Sequence, residues 1–337
     1  MIVDHQPRSI VVRMPNWLGD TVMALPALAA LRGARPEARI TVMGRWAPLL
    51  SGQGVADIVL SYPPRLRDRL HVARSLRPER PDLALLLANS LEAALAAWNW
   101  GAKRRLGFDT DGRRWLLTDI VPRPWPRLHQ TDEYAVLLRA EGVPVPDNAS
   151  PAWRLPLHRS SDAEVDALLE TAGIPPETRV VGLHLGTAFG PSKLWPPESF
   201  GRLAARLAGD GLRPLLLGSL EDRHTALAVA AAASVPLPSL VGRDRPALLP
   251  RLLARLRCLV SADTGVAHLA AALGVPTVTL FGPTDPRLTA PRAKAARVLF
   301  RQVACSPCFL TDCPIDHICL RGIDPAEVEA HVRDAVA

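Results

Sequence analysis

Short apolar runs alternate along this chain with polar turns and with longer segments of helical period. Ser9–Arg13 (SIVVR), Arg39–Met43, Leu83–Ala88 (LALLLA), Arg179–Leu183, Arg213–Leu217, Cys258–Val260 and Thr277–Phe281 read as buried strands, with Val55–Leu60 a weaker one. The segment from Thr21 carries Val22, Leu25, Leu28, Ala29 and Leu31 on one side and reads as a helix, which Pro26 should kink or break. Further helices are expected at His129–Glu141, Asp162–Ala172, from Pro196-Pro197 onward, Val266–Leu273 and Pro325–Val336, the last capped by Asp324. Strand followed by helix, repeated, predicts βαβ units and doubly wound parallel sheets. Gly142–Pro156 is Pro-rich and polar and reads as a linker between two halves.

In such sheets ligands sit at the carboxyl ends of strands, so the loops there carry the candidate chemistry. After the first strand come Asn16 and Asp20, and after LALLLA come Asn89 and Ser90. In the second half, Gly186, Thr187 and Gly190 form a loop able to lie against a phosphate, and Lys193 follows as a mobile cation. Glu221 either holds a ribose hydroxyl or caps the next helix. The stretch Cys258–Asp285 is the most informative. Its turn Asp263-Thr264-Gly265 opens a helix whose free N–H groups favour an anion, with His268 one turn along the same face. Capping would explain Asp263 or Thr264 alone, but not the whole group. Neither GxxxxGK[ST] nor GxGxxG occurs.

A chain of 337 residues with 48% hydrophobic and 22% charged residues suits two soluble domains of ordinary size. No apolar run reaches the length of a membrane span, and the opening MIVDHQPRSIVVRMP is not expected to be a signal peptide; a cytoplasmic protein is expected. The net charge of +7 favours an acidic substrate, an anionic membrane surface or nucleic acid. Lys103, Arg104, Arg105, Arg113 and Arg114 form a basic cluster that could face an anionic acceptor or only solvent. Four of the 5 cysteines, Cys305, Cys308, Cys313 and Cys319, fall close together. A structural Zn²⁺ is one reading of that group; reduced thiols or a disulfide are the others.

VRMPNWLGDTVMALPAL, GTAFGPSKLWP and SADTGVAHLAAALGVPTVTLFGPTDP, in this order, resemble glycosyltransferase family 9, and within it the lipopolysaccharide heptosyltransferases of type II. LANSLEAALAAWNWGAKRRLGF resembles the acceptor half of the same proteins. The resemblance implies a GT-B fold, two Rossmann-like doubly wound domains facing an interdomain cleft. Residues 1–155 would bind the acceptor and 156–323 the nucleotide-sugar donor, with 324–337 a helix crossing back to the first domain. It also implies inverting, metal-independent transfer of L-glycero-D-manno-heptose from ADP-heptose to a heptosyl-Kdo–lipid A acceptor, by an enzyme associated peripherally with the anionic inner membrane.

Carried onto this chain, the resemblance makes Asp20 the general base, since inversion needs a carboxylate to take the acceptor proton opposite the leaving group. An N-cap at Asp20 is the plainer alternative. Gly186, Thr187, Lys193, Asp263, Thr264, Gly265 and His268 would surround ADP, and Glu221 its ribose. Asn16, Asn89, Ser90, Lys103, Arg104, Arg105 and Arg113 would face the acceptor. No catalytic cofactor and no nucleic acid are expected. Rival readings are another family 9 transferase, a sugar-nucleotide 2-epimerase, or a zinc-dependent nucleic-acid-binding protein, which would bind in a salt-sensitive way.

Overall fold

The structure is a computed structural model that describes residues 6–155, 159–243 and 245–337. It divides into two compact units, Met1–Pro151 and Ala152–Ala337. The linker expected up to Pro156 therefore has its boundary at Pro151, and Pro156 itself lies outside the described residues.

The first unit is built on six strands, β1 (Ser9–Arg13), β2 (Arg39–Gly44), β3 (Ile58–Ser61), β4 (Leu83–Leu86), β5 (Arg104–Phe108) and β6 (Asp119–Val121). Their order is β3-β2-β1-β4-β5-β6 and every pairing is parallel. The topological switch point lies between β1 and β4, so the loops leaving these two strands share one edge. Helices α1 (Leu18–Met23) and α2 (Leu25–Ala34) follow β1. The break between them falls just before Pro26, as expected of a proline without an N–H to donate. Then come α3 (Leu66–Leu76), α4 (Leu91–Asn99), a 3-10 turn at Arg114–Leu116 and α5 (Gln130–Ala140). One core gathers Leu86, Ala94, Ala97, Trp100, Leu116 and Leu117, which packs α3, α4 and the 3-10 turn into one outer layer.

The second unit starts with α6 (Arg159–Thr171) and continues as β7 (Val180–His184), α7 (Pro197–Gly209), β8 (Arg213–Leu217), α8 (Arg223–Ala233), α9 (Leu249–Ala254), β9 (Cys258–Ala262) and α10 (Gly265–Ala272). It ends with β10 (Thr277–Phe281), α11 (Pro286–Thr289), β11 (Ala296–Phe300), α12 (Ile318–Arg321) and α13 (Pro325–Val336). The sheet order is β11-β10-β9-β7-β8, all parallel, with a further parallel bridge from Leu216 to Ser239 beyond β8. The switch point is between β7 and β9. VVGLH and CLVSA are buried at every residue, which is why they read as continuous apolar runs.

Within the second unit, α13 buries Val328 and Val332 completely in the core and packs on α7, β9 and β10. Glu329 on the same helix pairs with Arg206 and Arg333, which fixes the helix to α7.

Candidate donor and acceptor sites

At the second unit's switch point, Asp263 follows β9 and is 7% exposed. Its carboxylate accepts from Lys193 Nζ at 2.6 Å and from Thr284 Oγ1 at 2.7 Å, and its own carbonyl accepts from the same ammonium at 3.0 Å. A buried carboxylate held by a cation and a hydroxyl keeps its charge neutralised locally. Lys193 also lies 4.7 Å from the centroid of the Phe189 ring, a cation–π contact. The lysine is therefore a buried brace rather than the mobile cation expected from the sequence. It sits on a 3-10 turn, Pro191–Lys193, anchored two residues on by Trp195, which is wholly buried edge-on against Phe200 at 4.9 Å. Such an aromatic pair contributes about 0.5–1.5 kcal/mol beyond the area it buries.

Because Asp263 is engaged with Lys193 and Thr284, it does not cap α10. Thr264 is the N-cap residue, in extended conformation, yet its side chain makes no cap hydrogen bond; its hydroxyl meets Ser261 Oγ at 2.9 Å instead. The first-turn N–H groups of an eight-residue helix are thus left without a side-chain acceptor. Those amides and the positive end of the helix are a place for an anion. His268 is buried on the same helix with Nε2 4.0 Å from Asp263 Oδ1. Below them His184, at the end of β7, faces Ser261 Oγ at 3.4 Å, and burial drives its pKa down to about 4, so the ring is neutral. Thr284, Ser261 and His184 were not singled out from sequence. The polar loop GPT after an apolar strand was the one signal for Thr284.

Two other expected donor positions are used differently. The space a side chain would need at Gly186 is filled by the Asp222 carboxylate, whose oxygen lies 2.3 Å from where a Cβ would be. This glycine admits a carboxylate and is poorly suited to a phosphate. Asp222 also takes the N–H of Ser219 at 2.7 Å in the capping box of the 3-10 turn Leu220–Asp222, and Glu221 is exposed. Thr187 Oγ1 accepts from Phe189 N at 3.2 Å, shaping the loop before Lys193.

The cysteine-rich segment straps these turns together. Ser192 donates through its N–H to Thr311 O at 3.0 Å and through Oγ to Leu310 O at 2.6 Å. His317 Nε2 lies 3.2 Å from Pro191 O. Cys308 and Phe309 both donate backbone N–H to Pro283 O, at 3.0 and 2.8 Å. The same loop thus grips the turn carrying Lys193 and the turn carrying Thr284. Among the described residues no three His, Cys, Asp or Glu side chains converge on a point where a metal would fit. The four thiols are free; Cys319 is buried, Cys313 Sγ accepts from His317 N, and His317 turns to Pro191. Of the readings left open by the sequence, the structure shows Cys305, Cys308, Cys313 and Cys319 as free thiols.

In the first unit Asp20 is not an N-cap, because α1 starts earlier, at Leu18, with Trp17 as the cap residue. Asp20 is in the first turn, half-buried, with Tyr134 OH 3.5 Å from Oδ1. Tyr134 is fully buried, and burial, then the charge of Asp20, holds its phenol well above the usual range, so it is a neutral donor. Asn16 accepts from buried Arg13 at 3.1 Å. Arg13 stacks 3.9 Å from the Tyr62 ring centroid and reaches Glu92, which also binds Tyr62 and Arg69. Sequence gave no sign of this cluster, since its four members come from four separate segments.

Asn89 and Ser90 follow β4 at the switch point, as expected, and Ser90 caps α4 through Ala93 N at 3.2 Å. The basic cluster is corrected. Arg113 is wholly buried and donates to Phe108 O, Ala88 O, Ser90 O and Asn89 Oδ1, a scaffold for the Asn89 loop and no surface for an acceptor. Lys103, Arg104 and Arg105 lie at the N-terminal end of β5, away from the strand ends that carry sites. Lys103 pairs with Asp82, Arg104 with Asp119 and Glu141, and Arg105 binds the carbonyls of Leu116 and Ala102.

Fold and sites define a protein of two doubly wound parallel α/β units, the second offering an uncapped helix start beside a braced carboxylate. The model of glycosyltransferase family 9 (heptosyltransferase) matches residues 69–319, and the chain belongs to that family; it is a glycosyltransferase. Lipopolysaccharide heptosyltransferase 2 of Escherichia coli K12 is 30% identical over 305 residues, 86% of this chain and 87% of that one. The solved E. coli ADP-heptose LPS heptosyltransferase II is 27% identical, covers 97% of this chain and 98% of its own, and gives a TM-score of 0.80. A family 9 glycosyl transferase from Veillonella parvula, 21% identical, matches 100% of this chain and 98% of its own with a TM-score of 0.83, which shows the shared GT-B fold.

Proposed function

We propose that this enzyme transfers a heptose from ADP-heptose to the inner core of lipopolysaccharide, with inversion, on the cytoplasmic side of the inner membrane. The observation that carries the donor side is the start of α10: first-turn amides without a side-chain acceptor, next to a carboxylate neutralised by Lys193 and Thr284. An unpaired carboxylate at Asp263 would repel a diphosphate; the paired one does not. The amides of residues 264 to 266 receive the β-phosphate, and the ammonium of Lys193 has a third N–H to spend on it. As the bond to the sugar breaks, negative charge grows on that phosphate, and fixed dipoles already aimed there stabilise it without reorganising. His268 stays with Asp263 as a second prop, and Glu221 at the next strand end meets the ribose.

On the acceptor side, Asp20 takes the proton of the attacking hydroxyl. The neutral phenol of Tyr134 donates to one carboxylate oxygen and so orients the group that takes the proton. Asn16, Asn89 and Ser90, at the same edge of the first sheet, position the acceptor sugar. The names of the relatives support heptose as the sugar and lipopolysaccharide as the acceptor.

Incubation of the purified protein with ADP-heptose and a heptosyl-Kdo₂-lipid A acceptor should release ADP only when both are present. Release of UDP from UDP-sugars, with no release of ADP from ADP-heptose, would redirect the donor assignment. Release from ADP-heptose that ignores the acceptor would redirect the acceptor assignment.

A further inference from the structure

The first unit leaves one helix face bare. On α4, Leu91, Leu95 and Trp98 stand at positions i, i+4 and i+7 and are 39%, 47% and 58% exposed. With Ala93, Ala94 and Ala97 of the same helix fully buried, these three side chains give α4 an apolar outer face besides its apolar inner one. Beside it, on the 3-10 turn that packs against α4, Trp115 is 73% exposed. Four large exposed apolar side chains on two packed elements mark a surface that meets something.

Its rim is basic. Helix α3 lies in the same outer layer and is tied to α4 by Arg69 and Glu92 at 3.3 Å. Arg65 and Arg67 at its start and Arg74 further along are exposed, as is Arg114 next to Trp115. The acids nearby are largely engaged: Glu92 with Arg69 and Arg13, Asp109 with Arg114, and Asp111 with the N–H of Leu91. Asp68 is exposed among the arginines. Tryptophan and leucine ringed by arginine suit the boundary between acyl chains and anionic headgroups, where indole rings settle at headgroup depth. A second copy of the chain fits less well, because a two-fold interface would set arginines against arginines.

We propose that the face formed by Leu91, Leu95, Trp98 and Trp115, flanked by the α3 arginines, docks the enzyme on an anionic bilayer. It deepens the proposed function and rests on it for the lipid-anchored nature of the acceptor. No helix among the described residues is long and apolar enough to cross a membrane.

The test is co-sedimentation of the full chain with vesicles of phosphatidylcholine alone or with added phosphatidylglycerol, neither containing lipopolysaccharide, so that docking is read independently of sugar transfer. Partitioning onto the anionic vesicles should exceed that onto neutral ones by about ten-fold at low salt and fall as salt is raised. The double variant Leu95→Ser/Trp98→Ser should lose about ten-fold in partitioning, and Arg65→Glu/Arg67→Glu should lose the preference for the anionic vesicles. All should keep the wild-type melting temperature and ADP affinity, which shows that they fold. Equal partitioning of wild type and Leu95→Ser/Trp98→Ser overturns the proposal. So does a dimer in sedimentation velocity that Trp98→Ser dissociates, since that would give the face to a second copy.

Discussion

Lys193 spans 70 positions of sequence to donate to both the carboxylate and the carbonyl of Asp263, at 2.6 and 3.0 Å. Both side chains are at most 10% exposed, so the pair is worth most to the protein when intact. Lys193→Met should lower unfolding free energy by about 3 kcal/mol, because it strands a buried carboxylate. Lys193→Met/Asp263→Asn removes that stranded charge and should recover much of the loss in urea denaturation while ADP affinity stays low. If the double variant recovered ADP binding as well, the lysine would have no part in holding the nucleotide.

Asp20 and Tyr134 give a separable prediction. Asp20→Asn keeps the size and one acceptor of the side chain and should reduce turnover by about 100-fold or more, with ADP affinity unchanged by calorimetry. Tyr134→Phe should cost less, since it removes only the orienting bond at 3.5 Å. Turnover of Asp20→Asn within a few-fold of wild type would remove Asp20 from the proton transfer.

The legibility of these sites in the sequence was uneven, for physical reasons. The strands of both switch points were readable because burial on both faces makes them largely apolar, with Arg13, His184 and Ser261 only at or near their ends, and the loops after them followed at once. Asp20 was readable as a candidate, though its place was misread: nothing in NWLGDT shows that the helix has already begun at Leu18. Strand β5 was hidden behind Lys103, Arg104 and Arg105, whose charges looked like a surface. Arg104 is accommodated there by Asp119 and Glu141, which lie 15 and 37 residues away, and no local pattern reports such partners. The cysteine-rich loop was read through its side chains, whereas it grips the two turns mainly through its own backbone, the carbonyls of Leu310 and Thr311 and the N–H groups of Cys308 and Phe309, which have no sequence signature.

Gly190 tests that strap. Its φ of +148° is open to glycine and strained for other residues, and a Cβ there would sit 2.5 Å from Thr311 O. Gly190→Ala should lower the melting temperature and weaken ADP binding together, by pushing the strap off the Lys193 turn. Gly33→Ala, in the last turn of α2 with nothing within 4 Å of the new carbon, should instead stabilise slightly, by about 0.5 kcal/mol. Equal effects of the two would mean that residues 305–317 do not govern the donor turn.

His184 sets a pH dependence. Its folded pKa is depressed from 6.5 to about 4 by burial, so below pH 6.5 the unfolded chain binds a proton the native state refuses. Stability is whole above pH 6.5 and declines as pH falls toward 4, by about 3 kcal/mol across that window. Urea midpoints of wild type and His184→Gln, followed over this range, should converge as pH falls, since the variant lacks this titration. Parallel curves would show that His184 titrates alike in both states.

The most direct measurement is a crystal structure of the protein grown with ADP. Its diphosphate should lie against the amides of residues 264 to 266, within hydrogen-bond reach of Lys193 Nζ, with the Lys193–Asp263 pair still formed. ADP bound elsewhere in the chain, with the start of α10 untouched, would contradict the assignment of this helix terminus as the donor site.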